Sequence, residues 1–340
     1  MTLFDRVSWR DPMSGAPMTP IITARTPAGV PIHGALRIGD TGYGYPIVDS
    51  VVRATPELAR RYASWLEPFG LQPPPEREGA FQTEDTVESF GFQWSWNAAM
   101  RSEADLQWRV AERFQVQADD FSGKLVLDAG AGAGDQTRWM AGRGASVVSV
   151  DLSAAIEVVA RKMRMNGQWV GVQGDITALP FDGGQFDLVY CEGVIQHTRD
   201  SALTVRELLR VLRGEGRILA SHYTAARSFL GRMRIGSLVA LRNRLSRMDR
   251  YKLLFVTGIL SGLAYVPVLG FFLRRSGAAI HHGLMPDFKS TWTNTFDLYG
   301  NHAFQRVLPA ETFWSYFDAS GAERIVSDAA AGVVVARKKD

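Results

Sequence analysis

The stretch with the most chemistry in it is Asp128-Ala129-Gly130-Ala131-Gly132-Ala133-Gly134. It follows an apolar run, Leu125-Val126-Leu127, and opens onto a segment of helical character from Gln136 to Gly142. A strand, a glycine-rich turn and a helix make a nucleotide-binding corner. Glycine reaches positive φ without strain and lets a ligand approach the main chain closely. The spacing narrows the ligand. Dinucleotide folds use G-x-G-x-x-G and seat a pyrophosphate on the helix N-terminus. Here the pattern is D-x-G-x-G-x-G, which fails that fingerprint. A carboxylate at the strand end repels a pyrophosphate and suits a cationic, amino-bearing ligand.

The neighbouring segments add more acids. Ala145-Ser146-Val147-Val148-Ser149-Val150 reads as a second buried strand and ends in Asp151. An acid about 20 residues beyond the glycine turn is placed to hold ribose hydroxyls. A helical stretch from Ala154 to Asn166 follows, with apolar residues at Ile156, Val159, Ala160 and Met163. Val170-Gly171-Val172-Gln173 is a third strand, leading into Gly174-Asp175-Ile176. Asp175 is placed to accept from an adenine amine. A fourth strand, Gln185 to Tyr190, runs into Cys191-Glu192-Gly193-Val194-Ile195-Gln196-His197. S-adenosylmethionine is a cationic adenosyl ligand that suits this set.

In these elements, taken in order, residues 122–223 resemble a class I S-adenosylmethionine-dependent methyltransferase of the type 11 kind. The resemblance implies an α/β fold: a Rossmann-like seven-stranded sheet with helices on both faces. It also implies S-adenosyl-L-methionine as cofactor, contacted by Asp128, Gly130, Gly132, Gly134, Asp151, Leu152, Asp175, Ile176 and Glu192. Thr86 to Trp94 resembles a segment that covers the cofactor in this subgroup, which adds Gln93 and Trp94. Trp292 to His302 resembles a segment that reaches back toward the acceptor. His197, His302 and Tyr299 are thereby the candidates for proton transfer, since imidazole titrates near neutrality. His281 and His282 lack further metal ligands nearby, and no metal is expected.

The rest of the chain organises around that domain. Residues 1–30, with Pro12, Pro17, Pro20 and Pro27, read as an irregular arm. Residues 31–76 hold Tyr45-Pro46-Ile47-Val48-Asp49, which resembles the hairpin of a small zinc-ribbon module. The metal-binding cysteines are absent, so the expectation is a metal-free, degenerate ribbon-like module followed by a helix. Residues 77–120, after the linker Pro73-Pro74-Pro75, form an N-terminal cap. The methyltransferase domain covers 121–223 and resumes at 309–340, where Glu323 to Ser327 and Gly332 to Ala336 read as a closing antiparallel hairpin. Residues 224–308 are then a helical lid insertion at the carboxyl edge of the strands, where open α/β sheets bind ligands.

The insertion bears on the acceptor. Residues 227–252 carry seven arginines and one lysine against Asp249 alone, interleaved with aliphatic residues, a basic amphipathic pattern. Leu253 to Leu273 then carries no charge. It has the length of a membrane span, but Pro267 breaks it, and the chain must return to the same sheet. Three readings stay open: a buried helical hairpin, an interfacial pair giving peripheral membrane contact through 227–275, or a span. Each points to an apolar pocket. The expected reaction is methyl transfer to an apolar, lipid-like or natural-product acceptor, most simply at oxygen. The alternatives are an RNA-modifying methyltransferase using 227–252, against which the aliphatic interleaving counts, and a non-catalytic cofactor-binding protein.

Composition agrees with a globular enzyme. Of 340 residues 46% are hydrophobic and 21% charged, and the net charge is only +3, which excludes a general polyanion binder. The single cysteine, Cys191, excludes an intramolecular disulfide and is compatible with a reducing compartment. No basic region followed by an apolar run opens the chain, so the expected location is cytoplasmic, with no secretory signal.

Overall fold

The computed structural model describes residues 2–76, 101–223, 240–276, 288–300, 306–329 and 332–339. Its frame is one mixed sheet of eleven strands, in the order β1-β2-β3-β4-β7-β6-β5-β8-β9-β11-β10. The strands are β1 (Met18–Arg25), β2 (Pro31–Ile38), β3 (Gly44–Val48), β4 (Val51–Arg53), β5 (Leu125–Ala129), β6 (Ser146–Asp151), β7 (Trp169–Gln173), β8 (Phe186–Cys191), β9 (Leu212–Ser221), β10 (Ala322–Asp328) and β11 (Val333–Lys338). From β7 to β10 the seven strands form the α/β core: β4 to β9 run parallel, and β11 enters antiparallel to β9. The short apolar runs of β5 to β8 carry few polar residues because both faces are covered, as parallel sheets require. β5 lies between β6 and β8, so the chain reverses direction across the sheet there. That is the switch point where a crevice opens.

Helices cover both faces. On one side, α2 (Glu103–Val110) and α3 (Asp135–Ala141) bury Leu106, Val110, Trp139 and Met140 against Val126, Val147 and Leu188. On the other, α5 (Ser201–Val211) and α9 (Ala310–Ala319) bury Val205, Leu208, Phe313 and Phe317 against Leu127, Val148 and Val189. α4 (Ala155–Met163) turns Ile156, Val159, Ala160 and Met163 inward on the expected face.

Residues 31–76, expected as a degenerate ribbon-like module and a helix, do not stand apart from the main sheet. β2 and β3 pair with each other, β3 passes to β4, and β4 pairs in parallel with β7 through Val51↔Gly171 and Val52↔Val172, so the hairpin extends the main sheet. A short helix, α1 (Pro56–Arg61), follows, N-capped by Thr55. Residues 1–30 are not an irregular arm either. β1 is the edge strand, where Pro20 loses no ladder bond that matters. Ahead of it Leu3, Phe4, Val7 and Trp9 are buried, with Trp9 between Phe4 and Phe181 at ring-centroid distances of 5.0 and 5.4 Å. The proline content hid an aromatic anchor.

Between β9 and α9 the chain inserts α6 (Arg250–Leu263), α7 (Pro267–Ser276) and α8 (Phe288–Tyr299). Leu253, Phe296 and Tyr299 form a small apolar core of their own there. α6 and α7 are bent by 119° at their junction, and no single described helix is long and apolar enough to cross a membrane. The buried-hairpin reading fails for their outer face. Only Leu253, Thr257, Ser261, Ala264 and Gly270 of the pair are buried.

Candidate active site

The glycine turn sits where β5 ends. Gly130, Gly132 and Gly134 have φ of 88°, 52° and 80°. At Gly130 a Cβ would stand 2.2 Å from Cγ2 of Val194, so the post-β8 loop packs directly on bare backbone. The amides of Gly130 and Ala131 both donate to the Val150 carbonyl at the end of β6, at 2.8 and 3.1 Å. Asp151 then closes the turn. One carboxylate oxygen accepts from the Gly132 amide at 2.8 Å, the other from the amide and hydroxyl of Ser153 at 2.9 and 2.6 Å. Burial raises the Asp151 pKa, and the hydrogen bonds from Ser153 and Gly132 oppose it.

Asp128 is buried beneath the turn. It accepts from the Thr137 hydroxyl at 2.5 Å, which lies 2.9 Å from the Ser149 hydroxyl, itself bonded by Trp169 Nε1 at 3.1 Å. This network ties α3 to β5, β6 and β7. Burial pushes the Asp128 carboxyl up to about 7; Thr137 opposes the shift, and the charges of Asp151 and Glu192 add to it. Asp175 follows β7 and accepts from the amide and hydroxyl of Thr177 at 2.8 and 2.7 Å, while Ile176 beside it is buried. Leu152 gives its carbonyl to the Gln173 amide nitrogen at 3.1 Å, joining the ends of β6 and β7.

Glu192, just past β8, is held in a basic cage that the sequence did not reveal. Arg113 and Arg109 approach one oxygen at 2.6 and 3.4 Å, and Tyr190 donates to the other at 2.8 Å. Burial alone would raise this carboxyl. Arg109, then Arg113, Tyr190 and Arg101 outweigh it and hold the pKa at about 2. Arg109 also pairs with Asp105 one turn back on α2, at 2.9 Å. Its Nη2 is buried and meets no partner among the described residues. The i,i+4 spacing of Asp105 and Arg109 was visible; the partner 83 residues on was not.

His197 ends a short 3-10 turn after β8 and is buried, its ring edge-on to Tyr223 with centroids 5.7 Å apart. Tyr223 follows β9 and donates to Asp297 of α8 at 3.3 Å. The returning chain latches this loop. The Arg306 amide donates to the Gln196 carbonyl at 3.1 Å, and its guanidinium to the carbonyls of Thr198, at 2.6 Å, and Arg199. His222 was not singled out by the sequence. Its Nδ1 lies 2.8 Å from the Tyr223 carbonyl, its Nε2 is buried and meets no partner among the described residues, and burial lowers its pKa to about 4. Tyr299 lies buried in the insertion's apolar core, and burial raises its pKa to about 12. His302, Gln93 and Trp94 lie outside the described residues. Among the described residues no group of three or more His, Cys, Asp or Glu is placed to hold a metal ion.

Four adjacent strand ends, β7, β6, β5 and β8, thus each deliver one carboxylate to the same edge around a glycine turn. A family model described as a methyltransferase domain matches residues 127–220, the stretch that builds this edge. Residues 127–220 form a class I methyltransferase domain. The chain is 34% identical over 121 residues to a demethylmenaquinone methyltransferase of Clavibacter sepedonicus, covering 35% of this chain and 49% of that one. It is 36% identical over 124 residues to a malonyl-[acyl-carrier protein] O-methyltransferase of Enterobacter lignolyticus, covering 36% and 48%. The match spans about half the length of these relatives. A solved structure, the 1,6-didemethyltoxoflavin-N1-methyltransferase of Burkholderia thailandensis, has 14% identity and a TM-score of 0.41, over 79% of this chain and 95% of that one. The methyltransferase domain carries every described cofactor candidate from Asp128 to Glu192.

Proposed function

We propose that this chain transfers a methyl group from S-adenosylmethionine to an apolar small-molecule acceptor, with a hydroxyl oxygen as the atom methylated. The observation that carries the reading is the edge itself: bare backbone at the switch point with Asp128, Asp151, Asp175 and Glu192 at four neighbouring strand ends. These residues fit the cofactor. Asp151 and Asp175 are carboxylates at strand ends suited to accept from hydroxyls and an amine, a carboxylate offering about four acceptor sites. The orphaned Nη2 of Arg109 suits a carboxylate.

When bound, the cofactor supplies an activated methyl on a sulfonium with a neutral leaving group. The chain's own task is then alignment, and orientation alone accounts for a large share of such a barrier. Gly130 and Gly134 bring the backbone close. The Glu192–Arg109–Arg113 cage fixes the β8 end, and the Arg306 latch fixes the loop that carries His197. His197, on the loop after β8, is the candidate to take the acceptor's hydroxyl proton, subject to reach. The two curated relatives named above act, by their names, on a quinone precursor and an acyl-carrier-linked acid, which supports an apolar or lipid-linked acceptor.

The test is direct. Calorimetry on the purified chain is expected to show binding of S-adenosylmethionine and S-adenosylhomocysteine. A panel of hydroxylated quinones and long-chain acids is expected to release S-adenosylhomocysteine, with short polar acceptors at least about tenfold slower, as one lost apolar contact of about 1.4 kcal/mol would give. Absence of any binding heat for either nucleoside overturns the proposal.

A further inference from the structure

We infer that the bent pair α6–α7 is a monotopic anchor that inserts into one leaflet of an anionic lipid bilayer. This rests on the surface of the pair and not on the methyl-transfer reading. α6 is built inside out. Its protein-facing side carries Leu253 together with Thr257 and Ser261, the last two fully buried, whose hydroxyls bond back to the helix's own carbonyls of Leu253 and Thr257 at 2.8 and 2.7 Å. Small side chains there let α8 approach: Trp292 donates to the Leu254 carbonyl at 2.9 Å, and a Cβ on Gly258 would stand 3.0 Å from its ring. The outward side carries the large apolar residues. Phe255 is 69% exposed, Val268 72% and Phe272 62%, with Ile259 and Phe271 about half exposed beside them. Tyr251, Phe255, Ile259 and Leu263 repeat every four residues, a continuous stripe along one helix face. A contiguous exposed apolar surface of this kind marks a binding face. The inner hydroxyls are satisfied by their own backbone, so the arrangement loses nothing when the outside is lipid.

Charge selects the occupant. Between residues 240 and 276 the chain has Arg244, Arg247, Arg250, Lys252, Arg274 and Arg275 against a single acid, Asp249, besides Arg242, which faces Asp297 of α8. Asp249 is engaged as the N-cap of α6, accepting from the amides of Tyr251 and Lys252. The cations sit at or before the start of α6 and at the end of α7, and the uncharged stretch lies between them, with the bend in its middle. Fourteen residues make α6 about 21 Å long at ~1.5 Å per residue, short of the ~30 Å hydrocarbon core. A bend of 119° therefore gives a wedge whose exposed apolar faces enter the acyl region, with Arg275 and the cations around the start of α6 at the headgroups, while Arg274 reaches back to the Ala264 carbonyl at the bend. Basic residues flanking an apolar helix face are the pattern of interfacial helices, and anionic lipid is their complement.

The experiment is flotation of the full chain with phosphatidylcholine vesicles and with vesicles containing phosphatidylglycerol, at low salt and at about 1 M salt. The expected result is recovery with the anionic vesicles at least tenfold above the zwitterionic ones at low salt. Phe271→Glu/Phe272→Glu, at exposed positions, is expected to abolish recovery while keeping the thermal midpoint and calorimetric cofactor binding. Lys252→Glu/Arg247→Glu is expected to lose the preference for anionic lipid. Quenching of a Phe255→Trp reporter by brominated acyl chains would place the stripe in the leaflet. Wild-type chain left in solution with both vesicle types overturns the inference. So does equal recovery with both, or a stable dimer in sedimentation that the Phe271/Phe272 variant dissociates, since a second copy would then be what covers the face.

Discussion

α4 and α6 use much the same residue kinds in opposite senses. In α4 the apolar residues Ile156, Val159, Ala160 and Met163 face the sheet, and Arg161 faces water. In α6 Leu253, Thr257 and Ser261 face the protein, and Tyr251, Phe255 and Ile259 face outward. Both helices are amphipathic by pattern, so pattern alone does not say which side is in. The neighbour decides. α4 meets a flat apolar sheet, whereas α6 meets Trp292 of α8, whose ring lies where a side chain at Gly258 would be. The methyltransferase domain is thus closed on both faces, and the insertion is closed on one.

The comparison can be broken from either side. The largest effect is expected where the closed region is opened. Trp9→Ala removes a buried ring from between Phe4 and Phe181 and should cost about 3–5 kcal/mol in denaturant unfolding. A change below about 1 kcal/mol would return residues 1–30 to the status of a loose arm. Next comes Arg109→Ala, which leaves Glu192 buried with a weakened cage and should cost about 3 kcal/mol. The pH dependence follows from sign. Glu192 is held at about 2, below its ordinary 4.5, so its stabilisation is full above 4.5 and is lost as pH falls toward 2. Arg109→Ala should move the acid-unfolding midpoint upward, and Glu192→Gln should flatten that limb. His222 gives a smaller, separate limb. Its pKa falls from 6.5 to about 4 on folding, so the unfolded chain binds more protons between those values, and stability is lost as pH falls through that window. His222→Phe should remove about 1–3 kcal/mol of that slope, read from thermal melts at pH 4.5 and 7. The smallest effect is expected in the open region. Gly262→Ala meets nothing nearer than Phe288 Cε2 at 3.8 Å, and should gain about 0.5–1 kcal/mol from helix propensity.

How much of this the sequence disclosed depended on the range of the contacts. The strands from Leu125 to Cys191 were legible because each is a short run buried on both faces, punctuated by glycine and acid. The glycine turn and its acids were legible because their spacing is local. The Glu192 cage was not, since Arg109 and Arg113 arrive from 83 and 79 residues away. The Arg306 latch reaches back 108 residues to Thr198. His222 reads as the end of a strand, and only its burial, with no Nε2 partner among the described residues, distinguishes it. The extra strands misled for another reason. The Tyr45–Asp49 stretch looks like a freestanding hairpin until β4 meets β7, which no local pattern encodes.

The parallel seam between β4 and β7 has a consequence for biosynthesis. Arg53 spans it, bonding Gln173 at 2.5 Å and pairing with Glu157 at 3.1 Å. None of those partners exists when the leading strands leave the ribosome, and more than a hundred further residues must emerge before that edge is sealed. Until then the nascent meander exposes unpaired peptide groups along its rim, the kind of surface that recruits other chains. Folding should therefore be slow for the size of the protein, and a chaperone's grip on the emerging chain would be most useful before residue 173 appears.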